Sequence, residues 1–173
     1  MFILSAYSFN HQIRFNNKGE YNSSHGTNRS SYNKRMEDNL IKFIDRLHSK
    51  RIFFTNNDFQ LINYNNDTAF YYFDPPYYLT NAVYNDGNRG FKNWTENEEQ
   101  ELYNILTNLN NKSIRFGLNN LLYSNNTYNP YLKNFIDKNK EDIKVYSLNT
   151  DYSNSNYHKK DKGLEKEVYI TNI

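Results

Sequence analysis

Cysteine is absent from this chain of 173 residues, which removes disulfide scaffolds, thiolate metal sites and cysteine nucleophiles from consideration at once. Uninterrupted apolar runs are short: none approaches the roughly 18 residues that a membrane-spanning helix needs. The apolar opening, Met1-Phe2-Ile3-Leu4, lacks the basic flank of a signal peptide and begins with core-like residues as though inside an element. A soluble cytoplasmic protein is expected. There is little excess of either charge, 21 basic against 19 acidic residues, so any contact with nucleic acid must come from local patches and not from the whole surface. Glycine is scarce, and no pair among Gly19, Gly26, Gly87, Gly90, Gly117 and Gly163 has the Gly-x-Gly spacing of a cofactor-binding turn. Alanine occurs only at Ala6, Ala69 and Ala82, while Tyr (17) and Phe (12) far outnumber Trp (1) and Asn is the commonest polar residue. AT-rich codons produce that bias, so composition alone says little about function. The length does allow one domain with a real core, since chains of this size bury about 70% of their unfolded surface.

Residues 10–35 are polar, aromatic-punctuated and without a sustained period, as expected for loops or short hairpins. Leu40, Phe43, Ile44 and Leu47 then follow the i, i+3, i+4, i+7 spacing of an amphipathic helix over 37–49. Residues 51–55 read as a short buried strand. The run 69–73 (Ala-Phe-Tyr-Tyr-Phe) has no alternation, which predicts a strand covered on both faces in a parallel sheet. After an Asn- and Gly-rich loop over 80–93, Thr95-x-x-Glu98 predicts a capping box, and Leu102, Ile105, Leu106 and Leu109 continue its helix. A strand at 113–118, a helix near 131–139 and strands at 143–148 and 167–171 follow, with the last two antiparallel across a polar loop. The paired asparagines, among them Asn110-Asn111 and Asn119-Asn120, read as turns. This order predicts an α/β fold, a partial doubly wound sheet with helices on both faces and a terminal antiparallel strand.

Asp74-Pro75-Pro76-Tyr77 stands at the carboxyl end of an apolar strand, where open α/β sheets bind ligands. A nucleobase amino group is a poor nucleophile because its lone pair is delocalised into the ring. The Asp74 carboxylate and the Pro75 carbonyl can accept its two hydrogens and favour a pyramidal nitrogen. Two prolines hold φ near −65° and offer no competing N–H, while Tyr77 supplies a ring for a base taken out of the stack. The bland alternative is an Asp-Pro turn, but such turns usually lie in exposed polar sequence. The histidines His11, His25 and His48 have no ligand-like spacing, so no metal is expected; His48 fits a helix end. The lysine-rich stretch 157–162 suits a phosphate contact or simply a solvated surface.

Tyr72-Phe-Asp-Pro-Pro-Tyr-Tyr78, Tyr84-Asn-Asp-Gly87, Trp94-Thr-Glu96, Ile114-Arg-Phe-Gly-Leu-Asn119, Asn154-Ser-Asn-Tyr-His158 and Glu167-Val-Tyr-Ile-Thr-Asn172, with Ser8-Phe-Asn10 and the stretch 12–22 upstream, resemble the Dam-type N6-adenine-specific DNA methyltransferases in content and order. The resemblance implies a Rossmann-like methyltransferase sheet and a site-specific enzyme of DNA methylation and restriction-modification. S-adenosylmethionine would be the methyl donor, and double-stranded DNA with a flipped adenine the substrate. It implies that Asp74, Pro75, Pro76 and Tyr77 are catalytic, that Asp58, Phe59 and Asp74 lie at the cofactor, and that Arg14, Asn16, Lys18 and Asn22 face DNA. Residues 1–50 would then be a partial target-recognition region, and 51–173 the C-terminal part of the catalytic domain. The family's glycine-rich cofactor turn precedes the recognition region and has no counterpart here. Three readings follow: a C-terminal portion working with a companion N-terminal polypeptide, an inactive gene remnant, or a non-enzymatic DNA-binding module that keeps the recognition region.

Overall fold

The computed structural model describes residues 2–16, 18–26, 30–79, 94–124, 126–148 and 165–173. The expected loop 80–93, the motif blocks at 84–87 and 154–158, and the lysine-rich stretch 157–162 lie outside these. The described residues of Met1–Asn56 belong to one compact unit, and those of Asn57–Ala82 and Asn93–Ile173 to another.

In the first unit a short helix α1 (Phe2–Tyr7) buries only Ala6. A small hairpin follows, in which Phe15 pairs antiparallel with Tyr21 and Ser8 with His25. Helix α2 (Lys34–Ser49) begins at Asn33, whose side chain accepts a hydrogen bond from the Met36 amide, and so covers the predicted amphipathic stretch with one extra turn at its start. The expected buried strand at 51–55 does not form. Those residues belong to no helix or strand, and Phe53 and Phe54 are 76% and 79% exposed. An apolar run becomes a strand only where a neighbour takes its N–H and C=O groups, and no ladder partner stands beside it among the described residues.

The second unit is built on an open mixed sheet of order β1-β2-β5-β4, with the short β3 (Thr127–Tyr128) folded back on β2. Strand β1 (Phe70–Phe73) runs parallel to β2 (Arg115–Ser124), with Phe73 opposite Leu118. Strand β5 (Lys166–Thr171) is antiparallel both to β2 and to β4 (Lys144–Leu148), as the sequence order implies. Strand β2 continues well beyond the expected end at Leu118. Asn119-Asn120, read as a turn, lies inside it because the Asn120 amide finds Glu99 and Tyr103 at 3.3 and 3.2 Å, so a polar pair is satisfied without leaving the ladder. Asn110-Asn111 likewise ends helix α3 (Glu96–Asn111) and forms no separate turn.

Helix α3 starts with the predicted capping box at Thr95 and Glu98. Its Leu102, Leu106 and Leu109 are buried with Phe116 and Leu118 of β2, Val168 and Ile170 of β5, and Leu132 and Phe135 of α4 (Pro130–Asn139). Tyr103 stacks on Phe135 with ring centres 5.0 Å apart, so α3 and α4 share one face of the sheet. Burial of each such aliphatic side chain contributes about 1.5–3 kcal/mol. On β1, Phe73 is buried while Phe70 and Tyr72 are 44% and 54% exposed. The expected cover on both faces of this strand is therefore absent among the described residues. On that other face a Cβ at Gly117 would stand 2.5 Å from the Tyr169 hydroxyl and 2.9 Å from the Phe70 ring, so a larger residue there would push those rings aside.

Candidate active site

The chain leaves the sheet at the buried Phe73 and enters Asp74-Pro75-Pro76-Tyr77 at the carboxyl end of β1. Asp74 is exposed, and the next three residues are half-buried. Each proline limits the loop to one backbone φ. Beyond them the loop is tied down from its side chains: the Tyr77 hydroxyl donates to Oε1 of the buried Glu167 on β5, and the Tyr78 ring sets its edge against Tyr131 of α4 at 5.2 Å.

Against this loop lies a pocket of about 370 Å³ whose lining includes Phe59, Ile62, Tyr64, Asp74, Trp94 and Leu102. A single helical turn, Phe59–Leu61, supplies one wall; it is capped by Asp58, whose Oδ1 accepts from the Gln60 amide at 3.0 Å. Phe59 leans on Trp94 with ring centres 5.4 Å apart. Tyr64 packs on Tyr71 and Phe73 at 5.1 and 5.7 Å and donates its hydroxyl to the Phe59 carbonyl at 2.8 Å. Burial raises the Tyr64 phenol above its ordinary value, with Tyr71 and Asp58 adding to the effect. Tyr72 is raised too, through desolvation and then the nearby Asp74 charge. Both rings therefore remain neutral wherever an ordinary phenol does. The result is a slot with aromatic walls and a carboxylate at its rim, which suits a flat heteroaromatic ring with a polar edge.

The structure brings Phe59, Asp74, Pro75 and Pro76 to this one pocket. Asp58 flanks it as a cap. In the other unit, Arg14 and Asn22 face each other across the hairpin, the Asn22 amide donating to the Arg14 carbonyl at 3.1 Å. Lys18 lies in the connecting turn, and all three side chains are exposed. Asn16 is engaged locally: its oxygen accepts from the Lys18 and Glu20 amides at 2.9 and 3.0 Å, and its amide nitrogen donates to Glu20 at 2.8 Å. Site residues that escape sequence reading include Tyr64, Glu167 and Glu99. Glu167 meets Tyr77 from ninety positions away, a distance no local pattern reports. Glu99 is hidden in the acid-rich start of α3. Among the described residues no cluster of three acidic or histidine side chains could hold a metal ion, and no helix is long and apolar enough to cross a membrane.

Comparison with known proteins bears on this arrangement. The chain is 38% identical to the modification methylase StsI of Streptococcus sanguinis and 39% identical to the type II methyltransferase M.FokI of Planomicrobium okeanokoites, in both cases over 99% of its own length. It is 34% identical to the modification methylase LlaI of Lactococcus lactis subsp. lactis over 79% of its length. It spans 26% of the length of the first two of these relatives and 22% of the third. The model of the D12 class N6 adenine-specific DNA methyltransferases matches residues 1–154, a stretch that contains β1, the Asp-Pro-Pro-Tyr loop and the aromatic pocket, and the chain belongs to that family.

Proposed function

We propose that this chain carries the catalytic loop and part of the donor site of an S-adenosylmethionine-dependent DNA adenine N6-methyltransferase acting in the cytoplasm. The observation that carries the reading is the placement of Asp74 and Pro75 at a strand end, on the rim of an aromatic pocket that also contains Phe59 and Trp94. S-adenosylmethionine supplies an electrophilic methyl group on a sulfonium. Asp74 and the Pro75 carbonyl accept the two hydrogens of the target amine, so that its lone pair is free to form the new N–C bond. As the N–C bond forms, the S–C bond of the sulfonium would break and release the demethylated thioether, and the proton lost from N6 would pass to the Asp74 carboxylate and on to solvent. Tyr77 stacks on the adenine that has left the duplex. Phe59 and Trp94 would hold the adenine ring of the methyl donor, with Asp58 beside it.

That pocket holds a base but wraps little of a methionine moiety, and good small-ligand sites enclose most of the ligand surface. The isolated chain is therefore expected to bind S-adenosylmethionine weakly, with a Kd on the order of 1 mM, and Phe59→Ala is expected to remove the binding. Isothermal calorimetry checks both. Tight binding unaffected by Phe59→Ala would place the donor elsewhere. A companion polypeptide carrying the glycine-rich turn should tighten it.

For DNA, the same reading gives the contacts to Arg14, Asn16, Lys18 and Asn22; the exposure of Arg14, Lys18 and Asn22 supports it, and Asn16 also holds the turn through its bonds to Lys18 and Glu20. Arg14→Ala is expected to weaken duplex binding and to lower the slope of log affinity against log salt by about 1 if the guanidinium meets a phosphate. Fluorescence anisotropy across a salt series measures this, and an unchanged slope with weaker binding would favour contact with a base edge. Retained DNA binding with no response to S-adenosylmethionine or to Asp74→Ala would favour a non-enzymatic DNA-binding module.

A further inference from the structure

Glu99 is completely buried on the core face of α3. Isolated buried carboxylates are strongly disfavoured, yet this one receives four side-chain donors. Its Oε1 accepts from the Tyr103 hydroxyl at 2.6 Å, Asn129 Nδ2 at 2.7 Å and Asn120 Nδ2 at 3.3 Å. Its Oε2 accepts from the indole Nε1 of Trp94. The donors on Oε1 belong to α3 itself, to the cap of α4, where Asn129 Oδ1 accepts from the Tyr131 and Leu132 amides at 3.1 Å, and to the middle of β2. The donor on Oε2 belongs to the wall of the pocket beside Asp74. Tyr103 remains a donor because burial, and then the neighbouring charge of Glu99, push its phenol well up. A well-packed apolar side chain at such a site is often as stabilising as a buried charge or more so. The carboxylate supplies what an apolar residue cannot, a directional link from the scaffold to the indole.

We propose that Glu99 is a positioning residue, which fixes the plane of Trp94 against Phe59 and so keeps the pocket beside Asp74 shaped for an adenine ring. The inference rests on the reading of that pocket as a purine site. Glu99 does not touch the bound ring and acts through Trp94.

Trp94 is the single tryptophan of the chain, so its indole N–H gives one nuclear magnetic resonance signal. In Glu99→Gln the amide oxygen can keep the Tyr103, Asn120 and Asn129 donors, while the NH2 group then meets the indole N–H donor to donor. The expected result is a folded protein by circular dichroism whose indole signal moves upfield and exchanges faster with solvent. Adenosine, titrated into the intact chain and followed at that signal, should bind about tenfold more weakly, the size of effect a charged hydrogen bond supports. Replacing Trp94 by its isostere 3-benzothienylalanine removes only the N–H and leaves Glu99 and the core in place, which covers the case in which Glu99→Gln does not fold. Calorimetry should show the same tenfold loss of adenosine affinity, and adding Glu99→Gln to it should change the affinity by less than about twofold.

An indole signal unchanged in Glu99→Gln, wild-type adenosine affinity with the isostere, or two losses that simply add would each overturn the proposal. If wild-type protein shows no adenosine response at all, the purine reading of the pocket fails, and the exchange rate of the indole N–H still decides whether Glu99 tethers Trp94.

Discussion

With a companion polypeptide supplying the glycine-rich turn, Asp74→Ala is expected to reduce methyl transfer to DNA adenine by about a thousandfold, the upper range for removal of one preorganised group that stabilises developing charge. The amino nitrogen gains positive character as the N–C bond forms, and in the proposed mechanism Asp74, just past the end of β1, is the charged acceptor that meets it. Its exposure means that little packing is lost, and exposed positions away from caps and networks usually alter stability by no more than about 0.5 kcal/mol. Thermal midpoint and DNA affinity should therefore stay near their original values while single-turnover incorporation of labelled methyl collapses. Asp74→Asn keeps an acceptor without the charge, and charge-assisted hydrogen bonds are about twice as strong as neutral ones, so its loss should be intermediate. Pro76→Ala should be milder than either, since it loosens the loop and removes no acceptor. Equal rates for wild type and Asp74→Ala would show that the carboxylate plays no part in activating the amine.

The sequence was most legible where one residue type has one physical consequence. A run of apolar residues cut off by Asp-Pro-Pro can hardly be anything but a strand entering a stiff loop, and the Thr95 to Glu98 spacing marks a helix start wherever it falls before an apolar stripe. Legibility failed where the outcome depends on a distant neighbour. Residues 51–55 have strand-like side chains and no partner among the described residues, while Asn119-Asn120 have turn-like side chains and remain in β2 because Glu99 and Tyr103 receive Asn120. A signal for Glu99 did exist. It lies three, four and seven positions before Leu102, Tyr103 and Leu106, which places it on the buried stripe of α3. The surrounding Glu96, Glu98, Gln100 and Glu101 disguised it as one more solvated acid. A lone charge at an apolar-face position of a helix is therefore worth testing as a network centre before it is read as surface.

Tyr77→Ala should weaken retention of the extruded adenine by about 1–3 kcal/mol, the range for loss of one base–aromatic stack. With 2-aminopurine at the target position, the fluorescence rise on binding should shrink in step with turnover, while overall duplex affinity, held by phosphate contacts, changes much less. Tyr77→Phe separates the ring from its anchor. The stacking surface survives, but the hydroxyl that donates to Glu167 is gone, and hydrogen bonds to charged groups contribute about 1.5–3 kcal/mol. Glu167 is only 5% exposed, so water replaces the lost donor poorly and the variant should melt earlier than wild type. Its turnover should fall between wild type and Tyr77→Ala, because the ring is present without a fixed orientation. Wild-type turnover and melting in Tyr77→Phe would mean that β5 does not orient the loop. Base retention unchanged in Tyr77→Ala would mean that another ring receives the adenine, and the exposed Tyr72 on β1 would be the next side chain to remove.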